Sequence, residues 1–394
     1  MMRKRLTDAL HASKEFDSHV AIDSKKSLNS NFKLDLALKT TKNSKQLLLS
    51  QNKGCGECIT KVINKKTIKS VPPAKITCET HTKADRWGIY SLAYKDDLGS
   101  EVAVGFGNGA ITLYNALNGN TLKEIAPGQT YGYAAMSLAF TKNKKHIIST
   151  SAGGDVCLWG TKDSKQNPVL ITHEEKNEVN ALDICKEGSF FATAGKDRKI
   201  RIYDTKKFTL CSSSNPPDYL TMDDHDKLAG HSKRIFAVRF HPSHNNIFLS
   251  GGWDNCVKIW DKRILRTAKQ SLNGPHICGK SIDVVDNTIL TGSWTSKNAL
   301  QLWDMRTGKA FETLPFIKHN VYHGEFIYCA KFANKNTVLA GGSGTNGVCS
   351  ISIPFKTVKN ETLLEKPCYA IDSCNGGKKA ALGGLCNKVV QVYT

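Results

Sequence analysis

FLSGGWDNCVKIWD, residues Phe248–Asp261, decides the fold of this chain of 394 residues. An apolar run, a tight turn carrying Gly and Asp, and a second apolar run ending in Trp-Asp together predict a β-hairpin with a fixed ending. Degraded copies of this hairpin recur along the chain. Aligned on their last two residues, they end at Tyr114-Asn115, Trp159-Gly160, Tyr203-Asp204, Trp260-Asp261, Trp303-Asp304, Ile353-Pro354 and Tyr393-Thr394.

The spacing of these endings indicates the architecture. Successive intervals are 45, 44, 57, 43, 50 and 40 residues, and a period near 40–45 residues with four short strands per unit is typical of propeller blades. In each unit a first strand precedes the hairpin, at Ile89–Tyr94, Met136–Phe140, Val179–Cys185, Ile235–Phe240, Lys280–Val285, Ile327–Phe332 and Cys368–Cys374. A fourth, outer strand is expected in each link, as at Val169–His173 and Thr362–Glu365.

The two ends of the repeat region are predicted to complete one blade together. The seventh unit ends with its third strand, Val389–Tyr393, and a strand-like segment, Lys75–Glu79, precedes the first unit. Pairing these segments would close the ring and cover an exposed sheet edge. The sequence therefore predicts an all-β fold, with a seven-bladed propeller over residues 75–394.

Residues 1–74 differ from the rest in composition. They are rich in Lys, Ser, Asn and Thr and contain only short apolar islands, which predicts a largely disordered basic extension ending near Val71-Pro72-Pro73. Residues 1–75 hold 16 Lys/Arg against 6 Asp/Glu, half of the chain's net charge of +20. Such an arm suits an acidic partner such as nucleic acid, or it is a solvated tail that maintains solubility.

Other signals concern the compartment. Thirteen cysteines, several at alternating strand positions, do not suggest a disulfide framework and fit a reducing environment. The N-terminal residues lack the apolar stretch of a secretory signal, and no run of residues is long and apolar enough for a membrane span. We therefore expect a cytoplasmic or nuclear protein without membrane contact.

Blade four carries a set of residues that resembles the WD-repeat β-propeller family. It contains Gly230-His231, Ser250, Asp254 and Trp260-Asp261. The resemblance implies that His231, Ser250, Asp254 and Trp260 form a hydrogen-bonded network that makes the blade rigid. The chemistry agrees, because a buried indole N–H and a buried imidazole both need partners. In blades six and seven Ile353 and Tyr393 take the Trp position, and blades five and six have longer middle turns. The outline of blades five to seven is therefore less clearly marked than that of blade four.

Two strand ends read Trp-Asp-x-Arg, at residues 260–263 and 303–306. They resemble the WD-repeat substrate receptors of cullin-type ubiquitin ligases. That resemblance implies that Arg263 or Arg306 contacts an adaptor protein. The alternative is that arginine simply follows Trp-Asp at a strand end, where it is common.

The middle turns of blades four and five contain Trp253 and Trp294. In the resembling propellers these turns face the narrower, top rim. With Lys233, Arg234 and Lys297 nearby, the two tryptophans make a candidate partner-binding surface for an acidic or aromatic-bearing peptide. The alternative is that each Trp packs against a neighbouring loop and is half-buried.

One Cys/His spacing and two Gly-rich stretches could indicate ligand sites, but each also has a purely structural interpretation. Cys55, Cys58, Cys78 and His81 have a zinc-ribbon-like spacing, although Cys78 falls within the proposed closing strand, where cysteine is often a filler. The Gly-rich stretches at 105–109 and 341–347 are expected to be hairpin turns, because a phosphate cradle would need a following helix. No cofactor is expected.

Charges of alternating sign recur at one position of the first strands in blades three to seven. They are Asp183, Arg239, Asp283, Lys331 and Asp372. We expect these residues to pair between neighbouring blades in a structural role, each exposed pair contributing about 0–1 kcal/mol.

The sequence thus favours a non-enzymatic scaffold that presents its rims to protein or peptide partners, as a monomeric propeller within a larger complex. No nucleophile–base pair or cofactor motif supports an enzyme. The alternatives are a nucleic-acid-associated adaptor that uses the basic arm, and a cullin-type substrate receptor.

Overall fold

The computed structural model describes residues 72–82, 87–126, 132–161, 168–217, 229–316, 324–386 and 388–394. Seven four-stranded antiparallel sheets account for the strands in these ranges. Among the same residues, no helix has the length and apolarity needed to cross a membrane. Residues 1–71 of the basic extension lie outside the described residues.

Each sheet is one blade, and its strands follow one another from the ring axis outward. The strands of blades one to four are β2 (Ile89–Tyr94), β3 (Glu101–Phe106), β4 (Ile111–Asn115), β5 (Thr121–Ala126); β6 (Ala135–Phe140), β7 (His146–Ser151), β8 (Asp155–Gly160), β9 (Val169–His173); β10 (Ala181–Ile184), β11 (Phe190–Ala194), β12 (Ile200–Asp204), β13 (Leu210–Ser213); β14 (Ile235–Phe240), β15 (Ile247–Gly252), β16 (Cys256–Asp261) and β17 (Gln270–Asn273).

Blades five to seven continue the same arrangement, and the last blade also takes in the first strand of the chain. Their strands are β18 (Ile282–Val285), β19 (Thr288–Gly292), β20 (Leu300–Asp304), β21 (Lys309–Thr313); β22 (Ile327–Asn334), β23 (Thr337–Gly342), β24 (Gly347–Ser352), β25 (Thr357–Leu363); β26 (Cys368–Cys374), β27 (Lys379–Gly384), β28 (Lys388–Tyr393) and β1 (Ile76–His81).

The ring is closed. The first strands of neighbouring blades contact one another in the order β2, β6, β10, β14, β18, β22, β26 and back to β2. Strand β1 pairs antiparallel with β28, placing Thr80 opposite Val389 and Glu79 opposite Val390. The seven-bladed propeller predicted from the repeat spacing is confirmed, with closure by β1 and β28 as expected.

Several strand bounds differ from those predicted. The outer strand of blade six runs over Thr357–Leu363 rather than Thr362–Glu365. The reason is a tight turn immediately after β24, in which Lys356 adopts a positive φ of 49° and donates its backbone N–H to Ile353. Strand β18 begins at Ile282, so Lys280 precedes it. Both glycine-rich stretches are hairpin turns, as predicted, with Gly109 in the left-handed region at φ 82°.

The apolar core lies between the blades. One cluster joins Ile89 and Leu92 of blade one to Ala370 and Ala381 of blade seven, and similar clusters join blades three and four and blades five and six. The cysteines of the described residues are free thiols, and most of those on strands are buried like small hydrophobic side chains.

Removing β1 should destabilise the ring. We expect a variant lacking residues 1–81 to unfold more easily than one lacking residues 1–70. The lost β1–β28 hydrogen bonds are worth on the order of 3–5 kcal/mol in sum, and the freed edge of β28 favours aggregation. Thermal unfolding and light scattering would measure both effects. Equal melting temperatures and equal scattering would contradict the closure argument.

Candidate partner-binding surface at the top of the propeller

Blade four is held by a chain of buried hydrogen bonds. His231 Nδ1 lies 2.8 Å from Asp254 Oδ2, and its Nε2 lies 2.6 Å from Ser250 Oγ. Trp260 donates its indole N–H to the same Ser250 oxygen at 2.7 Å. These contacts tie the segment before the blade to the middle turn and to the third strand. They are the contacts that the family resemblance implied.

The ionised form of Asp254 is favoured within this network. Burial alone would raise its pKa, but hydrogen bonds with His231 and with the backbone N–H of Ser232 lower the pKa below its usual value. A buried carboxylate therefore orients the imidazole of His231 and keeps the network in one arrangement.

Three groups near this network could in principle ligate a metal: His231, Asp254 and Cys256. Both nitrogens of His231 are already engaged in hydrogen bonds. Burial raises the pKa of the Cys256 thiol to about 12, so Cys256 is a neutral thiol beside the imidazole of His231. The cluster is therefore a structural network.

Other blades use variants of the same chain. Trp159 donates to Ser149 at 2.7 Å in blade two, and Trp303 donates to Thr291 at 2.9 Å in blade five. In blade three a buried carboxylate, Glu174, accepts hydrogen bonds from Tyr203 and Arg201. Sequence reasoning missed Glu174, because it lies in the link before the blade where no motif marks it.

The charges on the first strands line the central channel and join the blades. Arg239 Nε donates to Asp283 at 2.8 Å, and Arg239 Nη1 lies 3.5 Å from Asp183. Lys331 pairs with Asp372. Asp183 and Asp283 are buried, so the expectation of exposed pairs worth little was wrong. The charges do pair between neighbouring blades, but they lie in an enclosed channel. Removing one partner there costs more free energy than at an exposed site, because the other charge stays buried without compensation.

Trp253, in the turn between β15 and β16, belongs to a cluster of aromatic side chains. Its ring centroid lies 5.2 Å from that of Phe236 and 6.4 Å from that of His276. The Arg234 guanidinium lies 4.7 Å from the Trp253 ring centre, and the indole N–H donates to Cys278 Sγ at 3.2 Å. Trp253 is half-buried, which is the alternative that the sequence left open.

Trp294 begins a run of rings that crosses three further blades. Its centroid lies 4.8 Å from Phe326 and 6.4 Å from Tyr328. Tyr328 packs edge-on against Tyr369 at 4.8 Å, and Tyr369 lies 5.9 Å from Tyr90. We call these five residues the aromatic arc. Tyr328, Tyr369 and Tyr90 lie at the start of first strands, beside the top opening of the channel.

The predicted basic residues differ in whether their charged groups are exposed or held in an ion pair. Lys233 and Lys297 are exposed. Arg234 is instead committed, since its Nη1 lies 3.0 Å from Glu178 Oε2. The top rim therefore carries two exposed cations in addition to the aromatic rings.

The two candidate adaptor residues lie at the opposite rim, where the third strands end. The Arg263 guanidinium donates two hydrogen bonds to Asp261, and the Arg306 guanidinium donates two to Asp304. Their side chains are 66% and 72% exposed. Each guanidinium is reachable but folded onto its own aspartate, so an adaptor contact stays a prediction.

The zinc alternative finds no support among the described residues. Cys55 and Cys58 lie outside them. Cys78 and His81 are three positions apart on β1, with Cys78 facing Thr80 at 3.8 Å and His81 exposed. Because side chains alternate along a strand, Cys78 and His81 point to opposite faces, which does not fit a shared ion.

Seven blades, a ring closed by β1 and β28, and the blade-four hydrogen bonds define a seven-bladed β-propeller of the repeat type. The family model "WD domain, G-beta repeat" matches residues 164–204 and 224–261. The chain thus contains WD repeats within a seven-bladed β-propeller.

Relatives of known name share this region at low identity. The chain is 23% identical to "Cell division cycle 20.1, cofactor of APC complex" of Arabidopsis thaliana, over 55% of this chain and 44% of that protein. It is 30% identical to "Coronin-like protein crn1" of Schizosaccharomyces pombe, over 30% and 19%. It is 23% identical to "Ribosome biogenesis protein WDR12 homolog" of Drosophila mojavensis, over 51% and 48%. The chain spans about half the length of these relatives, or less.

A solved structure shares the fold. The WD40 β-propeller domain of Doa1 superposes with a TM-score of 0.65 at 17% identity, covering 81% of this chain and 96% of that domain. At this identity the likeness concerns the fold alone.

Proposed function

We propose that this protein is a non-enzymatic interaction scaffold that binds a peptide segment of a protein partner on its top rim. One observation carries the proposal: the aromatic arc, Trp294–Phe326–Tyr328–Tyr369–Tyr90, beside the channel opening. Aromatic side chains bury large areas with few rotatable bonds, and they are enriched at binding hot spots. Tyr328, Tyr369 and Tyr90 are mounted on first strands of a closed ring. Tyr328 is buried, whereas Tyr369 and Tyr90 are half-buried and lose little entropy when a partner binds.

The basic residues of the rim select the chemistry of the partner. Lys297 is exposed in the same turn as Trp294, and Lys233 is exposed just before β14 of blade four, so an acidic segment that also carries apolar or aromatic side chains complements the surface. An interaction role also agrees with the description of one relative as a cofactor of a complex.

Selection from a random linear peptide library displayed on phage, with the full chain as bait, tests this function. We expect selected peptides to bind Tyr369→Ala at least about tenfold more weakly than the wild type, because one hot-spot ring is removed. Phe355→Ala is the matched control, since Phe355 is 79% exposed in the turn between β24 and β25 of blade six, away from the arc residues. Equal loss with both variants, or no loss with Tyr369→Ala, would place the binding elsewhere.

The alternatives stay predictions from the sequence. A nucleic-acid role depends on the basic arm, most of which lies outside the described residues, and steeply salt-dependent binding to RNA or DNA would support it. The adaptor role of Arg263 and Arg306, a cytoplasmic or nuclear location, and a monomeric state within a larger complex likewise await measurement.

A further inference from the structure

The rim opposite the aromatic arc carries an uneven charge. In each blade this rim holds the turn between the first and second strands and the turn between the third and fourth strands. In blades two to four the described residues of these turns contain ten Lys/Arg against three Asp/Glu. They are residues 141–146, 161, 185–190, 204–209, 241–246 and 261–269, and we call their surface the basic rim.

The excess of cations is confined to these three blades. In blades one, five, six and seven the corresponding turns contain five Lys/Arg against four Asp/Glu. Those turns are residues 95–100, 115–120, 286–287, 304–308, 335–336, 353–356 and 375–378. The charge is therefore a local property of one side of the rim, and the general basicity of the chain does not account for it.

Contacts between neighbouring blades make the basic rim one continuous surface. Lys142 of blade two packs against Gly188 of blade three, where a Cβ added to the glycine would meet the Lys142 Cβ at 2.6 Å. Lys262 of blade four places its Nζ 3.6 Å from the centre of the Phe190 ring of blade three. Within each of the three blades a backbone hydrogen bond of 2.8–2.9 Å joins the two turns. The backbone from which the cations project is therefore fixed.

The three acidic residues of the basic rim are engaged in local contacts. Asp204 accepts two backbone N–H groups of its own turn, at 2.7 and 2.8 Å. Asp261 accepts the guanidinium of Arg263, and Glu187 accepts the side-chain amide of Asn245. Six lysines have no ion-pair partner in the described part of the chain, five of them exposed and Lys144 half-buried: Lys142, Lys144, Lys145, Lys186, Lys206 and Lys207.

Few exposed apolar side chains accompany these cations, and this selects the kind of partner. Among the described residues of the basic rim, Ile264 is the one exposed large apolar side chain, and the Phe190 ring is half-buried beside Lys262. Protein interfaces and membrane-surface segments use apolar side chains, and single-stranded nucleic acid stacks its bases on aromatic rings. The backbone of a duplex, in contrast, is bound through cations that neutralise its phosphates.

We propose that the basic rim binds the phosphate backbone of a nucleic-acid duplex without reading its sequence. Lysines that reach phosphate oxygens position a duplex, whereas sequence is read at base edges in the grooves. Each neutralised phosphate releases counterions, and this release supplies essentially all of the free energy of non-specific binding. The surface is independent of the proposed function, because it lies at the rim opposite the aromatic arc.

Binding of labelled duplexes by full-length variants tests the inference. The basic-rim variant carries Lys142→Gln, Lys145→Gln, Lys206→Gln and Lys207→Gln. The matched control removes the same charge from four exposed lysines of blades five to seven, with Lys309→Gln, Lys335→Gln, Lys366→Gln and Lys378→Gln. All variants keep the basic extension, so its contribution to binding is the same in each. The probes are a DNA duplex and an RNA duplex, followed by fluorescence anisotropy between about 50 and 200 mM salt.

We expect the basic-rim variant to bind both duplexes at least about tenfold more weakly at low salt. Its slope of log affinity against log salt should become shallower by about 2–4, since each lost phosphate contact removes about 0.9. The control should stay within about 1 of the wild-type slope, because its lysines lie away from the duplex.

Three results would overturn the proposal. Equal slopes for both variants and the wild type would leave the basic extension as the binding element. Tighter binding to a single-stranded oligonucleotide than to either duplex would exclude a duplex as the partner. Loss of binding to phosphatidylserine vesicles by the basic-rim variant, with duplex binding unchanged, would assign the surface to an anionic membrane. Thermal unfolding of each variant checks that the ring is folded.

Discussion

Replacing Trp260 by alanine should lower the free energy of unfolding by about 3–5 kcal/mol, the usual cost of truncating a fully buried Trp. Trp260 has no exposed surface, and its ring stacks on Phe248 at 6.2 Å between centroids. The substitution leaves a large cavity between blades three and four, where the same cluster includes Ile202 and Ile235. It also removes the indole N–H that donates to Ser250, and so weakens the hydrogen-bond network that continues from Ser250 to His231.

Two companion variants separate packing from hydrogen bonding. Trp260→Phe keeps most of the volume and loses the indole N–H, so we expect a cost of about 1 kcal/mol from the hydrogen bond. Trp87→Ala is the matched control, because Trp87 is 54% exposed and its loss should change stability by only about 0.5 kcal/mol. Urea unfolding followed by far-UV circular dichroism measures all three. A Trp260→Ala midpoint equal to that of Trp87→Ala would refute the blade-four network as a source of stability.

The strands and hairpins of the fold could be predicted because both depend on residues that are close together in the sequence. A strand needs only alternation and β-branched residues, and a hairpin needs a Gly or Asp turn, so Ile89–Tyr94, Ile235–Phe240 and Cys368–Cys374 were predicted with the bounds that the structure has. The Trp-Asp ending then set the repeat. Errors arose in links such as that before β25, where turn geometry depends on a single positive φ.

The candidate surface was predictable only in part, because it is built by residues far apart in the chain. Trp253 and Trp294 stand out in their turns, but nothing in the sequence places Tyr90 beside Tyr369. That contact requires the ring to close. Burial of the channel charges has the same origin, since a residue on an isolated strand is exposed until seven strands surround an axis.

Replacing Arg239 by methionine should cost about 3 kcal/mol, because it leaves buried carboxylates without their cation. Methionine keeps the apolar stem and removes the guanidinium, which lies 2.8 Å from Asp283 and 3.5 Å from Asp183. This residue links blade four to both of its neighbours, so its loss should weaken two junctions at once.

A double variant shows whether the stranded charge is the cause. Asp283→Asn, added to Arg239→Met, removes one unpaired carboxylate while the amide oxygen can still accept the backbone N–H of Phe332. The double variant should therefore be more stable than Arg239→Met alone, although each substitution removes a group that the wild type uses.

Arg306→Met is the matched control for the charge change. Arg306 is 72% exposed, and within the described part of the chain its ion pair is with Asp304, so we expect a change of about 0–1 kcal/mol. Urea midpoints of the three variants against the wild type decide the matter. If Arg239→Met unfolds at the same urea concentration as Arg306→Met, the channel charges do not hold the blades together. The ring would then depend on the apolar clusters between blades and on the β1–β28 pairing.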